Sequence, residues 1–181
     1  MISRRMMSAV ALALTMILMS GCTEQVVADR IVEQDMEQTI TLDTVTLTIE
    51  DVEYMRQVQP PNPSGYYDYY PEVEGWRYCV LSGSIENAGS ESVSLNNCSV
   101  CAQAGKKERE AKLVVMNSSE IEFMDEIPAN LSESWEFYLI AAVKNGEEPD
   151  QIAVCFDEGL KKHQEDEKWD NQIIIYLDDL K

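Results

Sequence analysis

Histidine is almost absent from this 181-residue chain; His163 is the only one. One imidazole cannot build a multi-histidine metal centre, and it limits any triad to a single position. Basic residues are also few, with 14 Lys and Arg against 33 Asp and Glu, for a formal net charge of −19. Residues 1–21 carry two arginines and no acid, so the remaining 160 residues hold −21. A field of that sign repels phosphate backbones and excludes nucleic acid as a partner class. Glycine and proline are sparse, at eight and six, and no internal repeat or low-complexity tract is present. Only one apolar run approaches membrane length, and it lies at the N-terminus.

That run is the most specific motif. Arg4 and Arg5 precede an uncharged apolar stretch, Met6 to Met19, which ends in Met19-Ser20-Gly21-Cys22. Positive, apolar and small-residue segments in that order make a secretory signal. The stretch is shorter than the roughly 20 residues of a spanning helix. Its last four residues resemble a bacterial lipobox, which implies cleavage before Cys22 and lipidation of its sulfur. Residues 1–21 are therefore expected to be a lipoprotein signal peptide and 22–38 an acidic tether. Residues 39–181 are expected to form one extracytoplasmic domain, held to the cell membrane by its lipid. Thr23 does not settle whether the host has one membrane or two.

From residue 39 the pattern has a period of two. Thr44 to Ile49 alternates polar and apolar side chains, and Val52 and Tyr54 continue the apolar set one residue out of phase, as a β-bulge would. Residues 56–75 hold four prolines and two glycines and read as a loop. Trp76 to Glu86 resumes as a strand with Cys79, Leu81, Gly83 and Ile85 inward. Gly83 implies that something bulky packs over it, Trp135 or Phe137. Further strand candidates are Val93–Ala102, Leu113–Met116, Ile121–Phe123, Trp135–Val143, Gln151–Phe156 and Ile173–Leu177. Turns are expected at Asn87–Glu91, Gly105–Glu108 and Lys144–Glu147, the last with an Asn-Gly signal. Seven or eight short strands without a long helix predict an all-β sandwich.

The segment Gly75 to Asn87 (GWRYCVLSGSIEN), Gly105, and the Pro-containing turn Ile127 to Phe137 together resemble the uncharacterised immunoglobulin-like domains of Gram-positive bacterial lipoproteins. The likeness covers most of residues 38–178. It implies an immunoglobulin-like antiparallel β-sandwich on the cell surface, with no catalytic residues and no cofactor. This chain departs from that pattern at Ser82 and Gly83, in a Tyr-rich insertion, and in its extra cysteines.

Two constellations bear on function. The insertion Pro60 to Pro71 holds Tyr66, Tyr67, Asp68, Tyr69 and Tyr70, with Trp76 close behind. Tyr, Ser, Gly and Asn give binding loops large contact area at low entropic cost. Two readings are open: a ligand-contacting loop, or a lid folded over the sandwich. Cys79, Cys98, Cys101 and Cys155 remain after Cys22, and an even number outside the cytoplasm suits disulfides. Free buried thiols are the other main reading. Cys98 and Cys101 have C-x-x-C spacing, but their β flanks lack the helix N-terminus that lowers a redox thiol's pKa. A Cys₄ metal site would need Cys79 and Cys155 to converge on that pair, and no metal is assigned. His163, among charged residues, is expected to face water.

The leading expectation is a cell-surface lipoprotein with a non-catalytic binding or scaffolding domain, its partner an unknown protein or cell-wall glycan. The alternatives are a small solute- or cation-binding lipoprotein and a carboxylate-based hydrolase. No nucleophile–base set favours an enzyme. The anchor is directly testable. Cys22→Ala is expected to move the protein out of the membrane fraction while leaving its melting temperature unchanged. Retention in membranes after a high-salt wash would refute lipidation.

Overall fold

The computed structural model describes residues 28–35, 39–116, 119–164 and 166–177. The signal segment, Cys22 and most of the expected tether lie outside the described residues. The strands, in chain order, are β1 (Arg30–Asp35), β2 (Ile40–Leu42), β3 (Val45–Met55), β4 (Trp76–Asn87), β5 (Val93–Ser94), β6 (Cys98–Ala104), β7 (Lys107–Met116), β8 (Phe123–Met124), β9 (Glu126–Ile127), β10 (Asn130–Lys144), β11 (Gln151–Phe156) and β12 (Asn171–Tyr176). Two 3₁₀ turns, Leu95–Asn97 and Glu158–Leu160, are the only helical elements among the described residues.

Hydrogen-bonded neighbours run β1-β12-β11-β6-β7-β10-β4-β3-β2. The path folds at β7. Its first half pairs with β6 through Lys107 to Glu110, and its second half pairs with β10 through Ala111 to Val115. One strand thus belongs to both layers. The first layer is β1, β12, β11 and β6; the second is β10, β4, β3 and β2. Between them lies one core, with Leu47, Leu81, Ile85, Phe137 and Leu139 from the second layer against Ile152, Val154, Ile173 and Ile175 from the first. Each such side chain contributes roughly 1.5–3 kcal/mol by leaving water.

The predicted bulge is present. Ile49 lies opposite Gly83 and Asp51 opposite Ser82, so Glu50 is the extra residue. The inward phase of β4 is also as read, since Cys79, Leu81 and Ile85 are fully buried. The reason for Gly83 differs from the expectation. Phe137 is its partner on β10, but what crowds it is the bulged backbone. A Cβ on Gly83 would overlap the Thr48 carbonyl oxygen and lie 3.0 Å from the Glu50 nitrogen. Gly83 makes room for the bulge rather than for an aromatic ring.

Three other elements differ from the sequence reading. Residues 30–35, assigned to the tether, form β1, which pairs in parallel with β12 from Arg30↔Asn171 to Asp35↔Tyr176. Its sequence shows no clean alternation because it is an edge strand: Val32 packs against the core and Ile31 stays exposed. The single strand expected at 93–102 is broken by the 3₁₀ turn, and β5 pairs with β9 while β6 joins the first layer. The Asn145-Gly146 turn is real, with Gly146 at φ +84° and the Glu147 N–H donating to the Lys144 carbonyl at 2.9 Å. It does not close a hairpin, because β10 and β11 belong to different layers. The hairpin signal at Gly105 holds: two residues join β6 to β7, and Gly105 takes φ +60°.

Strand directions define two ends. β1 and β12 start, and β4 and β11 finish, at one end, called here the near end. β3 finishes and β4 starts at the other, the far end.

Gly83→Ala is expected to lower unfolding stability by about 3 kcal/mol, because backbone rather than a flexible side chain must yield. A denaturation midpoint equal to that of the unsubstituted protein would show that the bulge relaxes at no cost.

Candidate functional site

Strands β4, β7 and β10 are neighbours, and each has an unbroken apolar run: Tyr78–Leu81, Leu113–Met116 and Phe137–Val143. A strand with one wet face alternates, whereas an unbroken run needs cover on both faces. Here the inner faces meet the main core. The outer faces carry Tyr78, Val80, Val114 and Ile140, a second buried cluster. Residues 56–75 supply its cover. They leave β3 at the far end and fold back across the sheet as a strap. Val58 and Tyr70 exchange backbone hydrogen bonds at 3.0 and 2.8 Å and seat on the cluster. The Tyr70 ring packs near Tyr78 and Phe123, with centroids 5.9 and 6.2 Å away. Farther along, Asn62 donates from its backbone and side chain to Glu120, at 3.0 and 2.9 Å. The Tyr78 hydroxyl donates to the Pro71 carbonyl at 2.9 Å.

The strap therefore divides the predicted aromatic loop. Tyr70 is partly buried against the second cluster, and that burial pushes its hydroxyl up to about 12. Tyr66 and Tyr69 are 93% and 53% exposed, Asp68 is exposed, and the Tyr67 and Tyr69 rings lie 6.0 Å apart. This surface sits over the flank of the second layer, not on the tip of the sandwich. Trp76 is separate from it. It lines a cleft of about 530 Å³ at the far end, with Tyr54, Arg56, Glu72, Glu74 and Arg77. The sequence reading missed Tyr54 and Arg77. Their signal was an arginine just ahead of the apolar run Tyr78–Leu81 and a tyrosine that continues the apolar set after the bulge.

Around Trp76 the scarce basic residues gather. Arg109 and Lys144 lie 5.6 and 5.8 Å from its ring. Arg109 forks onto Glu147, with Nε and Nη2 at 2.9 and 2.7 Å. That bond to Arg109 holds the Glu147 carboxyl below the usual carboxylate range. A second cavity of about 660 Å³ opens at the near end between Arg30, Asp43, Phe156, Glu158 and Lys161.

The four described cysteines are all free thiols. The sheet register decides what they can do. Cys98, Ser99, Val100 and Cys101 pair in sequence with Phe156, Cys155, Val154 and Ala153, so β6 is regular there. Residues three apart on a regular strand point to opposite faces, with Cα atoms about 10 Å apart. A disulfide needs less than about 7 Å, so the C-x-x-C pair cannot close. Cys101 and Cys155 share one face of the first layer, on a diagonal across neighbouring strands. Cys79 lies in the second layer opposite Tyr54. Among the described residues no three His, Cys, Asp or Glu side chains group as a metal site.

His163 does not face water. Its side chain is 17% exposed, its ring stacks on Trp169 at 3.6 Å, and its Nδ1 lies 2.9 Å from Asp157 Oδ2. The stack draws the charged 157–170 loop against the body, where the Trp169 and Asp170 carbonyls accept the Asp29 and Arg30 N–H groups at 3.0 Å each. The lone histidine thus helps seat the start of β1.

No family model matches the chain, and no curated protein matches it. Among solved structures it is similar to an uncharacterised β-sandwich protein from Clostridium difficile, with a TM-score of 0.52 and 15% identity. The match covers 83% of this chain and 97% of that one. At that identity the likeness shows the fold, a β-sandwich.

Burial raises Cys155 to about 12, with the Cys101 thiol adding to the shift, and raises Cys79 and Cys98 to about 11. Each thiol holds its proton more tightly folded than unfolded, where the ordinary value is about 8.5. Iodoacetamide at pH 8 is therefore expected to label Cys79, Cys98 and Cys155 far more slowly in the native protein than in denaturant. Stability from the neutral thiols is complete below about pH 8.5 and falls as pH rises through the folded values. Mass spectrometry of labelled peptides and thermal melts from pH 8 to alkaline pH check both. Native labelling as fast as denatured labelling would contradict the burial.

Proposed function

We propose that the protein is a lipid-anchored, extracytoplasmic, non-catalytic binding module, its β-sandwich of the immunoglobulin-like kind. The lipobox at Cys22 supports the anchor, and the resemblance of residues 75–87 and 127–137 supports the immunoglobulin-like reading. Its partner is a protein or wall glycan of the cell envelope. One observation carries the binding role: Tyr66 and Tyr69 stand out, with Tyr67 half-buried between them, on a strap seated through buried Val58 and partly buried Tyr70. A covered root fixes the segment before any partner arrives, so little entropy is lost on contact. Tyrosine side chains are rigid and amphipathic, and Asp68 among them adds a polar contact. The tether enters at the near end through β1, which leaves the flank and far end free to meet a partner.

The lid and binding readings now apply to different residues, and mutation separates them. Tyr66, Tyr67 and Tyr69 replaced together by Ser are expected to change stability by less than about 1 kcal/mol, because surface substitutions cost little. The same variant is expected to lose capture of the partner from envelope extracts and isolated cell walls. Tyr70→Ser alone is expected to cost about 2–3 kcal/mol by opening the second cluster. A triple variant that is stable and still captures the partner would end the binding role of this surface.

A further inference from the structure

The far-end cleft is chemically unlike the rest of the surface, and we infer that it is a binding site for a neutral sugar ring. This inference stands apart from the exposed tyrosines and from the lipid anchor. The cleft volume of about 530 Å³ falls within the range of about 300–1,000 Å³ usual for small-molecule sites. Two aromatic side chains, Tyr54 and Trp76, line it beside two guanidinium groups, Arg56 and Arg77, and two carboxylates, Glu72 and Glu74.

That mixture selects among ligand classes. A metal cation would be opposed by the arginines. A polyanion would be opposed by Glu72 and Glu74, and by the net charge of the whole chain. A purely apolar ligand would strip water from Arg77, from Glu74 and from the exposed Arg56–Glu72 ion pair without replacing it. A sugar ring satisfies all of them. Each hydroxyl both donates and accepts, so carboxylates and guanidinium groups bind the same ring. The ring's C–H face needs an apolar, flat surface, which an aromatic side chain supplies.

Arg77 gives the clearest sign. Its guanidinium lies 3.9 Å from the Tyr54 ring centroid, and Nη2 donates to the Glu147 carbonyl at 2.8 Å. Its Nε is buried and has no hydrogen-bond partner. The guanidinium is thus held in place by Tyr54 and Glu147 at a position lining the cleft.

The walls are already in place. The Trp76 N–H donates to the Val73 carbonyl at 3.0 Å, and the Asn145 N–H donates to the Gly75 carbonyl at 2.9 Å. Gly75 and Gly146, at φ +81° and +84°, have open space where a Cβ would stand, so the rim stays low. A preformed cleft spends little binding energy on ordering itself.

The test titrates the full chain in detergent micelles with two neutral tetrasaccharides, of β-1,4-linked glucose and of β-1,4-linked N-acetylglucosamine. An acidic tetragalacturonate serves as the counter-probe. Calorimetry gives affinity, and quenching of tryptophan fluorescence reports contact. At least one neutral probe is expected to bind with Kd below about 1 mM. Trp76→Ala should weaken that binding by about tenfold or more, Arg77→Met by about fivefold, and Trp76→Phe by no more than about threefold, at unchanged melting temperature. The Tyr66, Tyr67 and Tyr69 triple variant should bind the sugar as the parent does, so failure of the flank surface and failure of the cleft are told apart. Absence of binding to both neutral probes, preference for tetragalacturonate, or a folded Trp76→Ala protein with parental affinity would each overturn the inference.

Discussion

Three adjacent strands in the second layer are apolar on both faces, and most of the molecule's particular features follow from that constraint. A two-layer sandwich hides only one face of each sheet. Tyr78, Val80, Val114 and Ile140 would face water if β3 ran straight into β4 through a short turn. The long, proline-bearing connection solves this by crossing back over the sheet. Its prolines need no backbone partners, which suits a segment that makes only one bridge, Val58 with Tyr70. With the root seated, Tyr66 and Tyr69 project outward. Exposed tyrosine surface and core cover are thus one piece of chain, divided between Tyr69 and Tyr70.

The same constraint shows what the sequence made legible. Period-two alternation located β3, where buried and wetter positions alternate up to the bulge. The bulge after Ile49 was visible as a slipped phase. Turn chemistry located Gly105 and Gly146, where a positive φ is required. The cover on the outer face was also written in the chain, as the unbroken runs Tyr78–Leu81 and Leu113–Met116, but such a run does not say which segment lies over it. β1 was hidden for a related reason. An edge strand buries little, and its partner β12 lies far along the sequence, so local pattern carries no trace of the pairing.

The candidate sites divide in a similar way. Aromatic residues crowded in a loop can be noticed in sequence, and Tyr66 and Tyr69 are exposed while Tyr67 is half-buried. Arg77 shows in sequence only as a charge beside an apolar run, because its meaning comes from Tyr54 on the next strand and Glu147 beyond another. The cysteines show the reverse case. Their count suggested bridges, yet the register of β6 on β11 sets Cys98 and Cys101 on opposite faces. His163, surrounded by charge in sequence, owes its half-buried place to a tryptophan six residues away.

The parallel pairing of β1 with β12 has a mechanical consequence. A pull on the chain ahead of Arg30, directed out of the near end, acts along the axis of β1. The cross-strand hydrogen bonds over the six paired positions then bear the load together, in shear. A pull across the strands would instead break them one at a time, like a zip. The loop carrying Trp169 and Asp170 grips the first residues of β1 and would share that load at its point of entry. A domain tugged from this end while holding something at the far end would meet force in the direction its edge strand resists best.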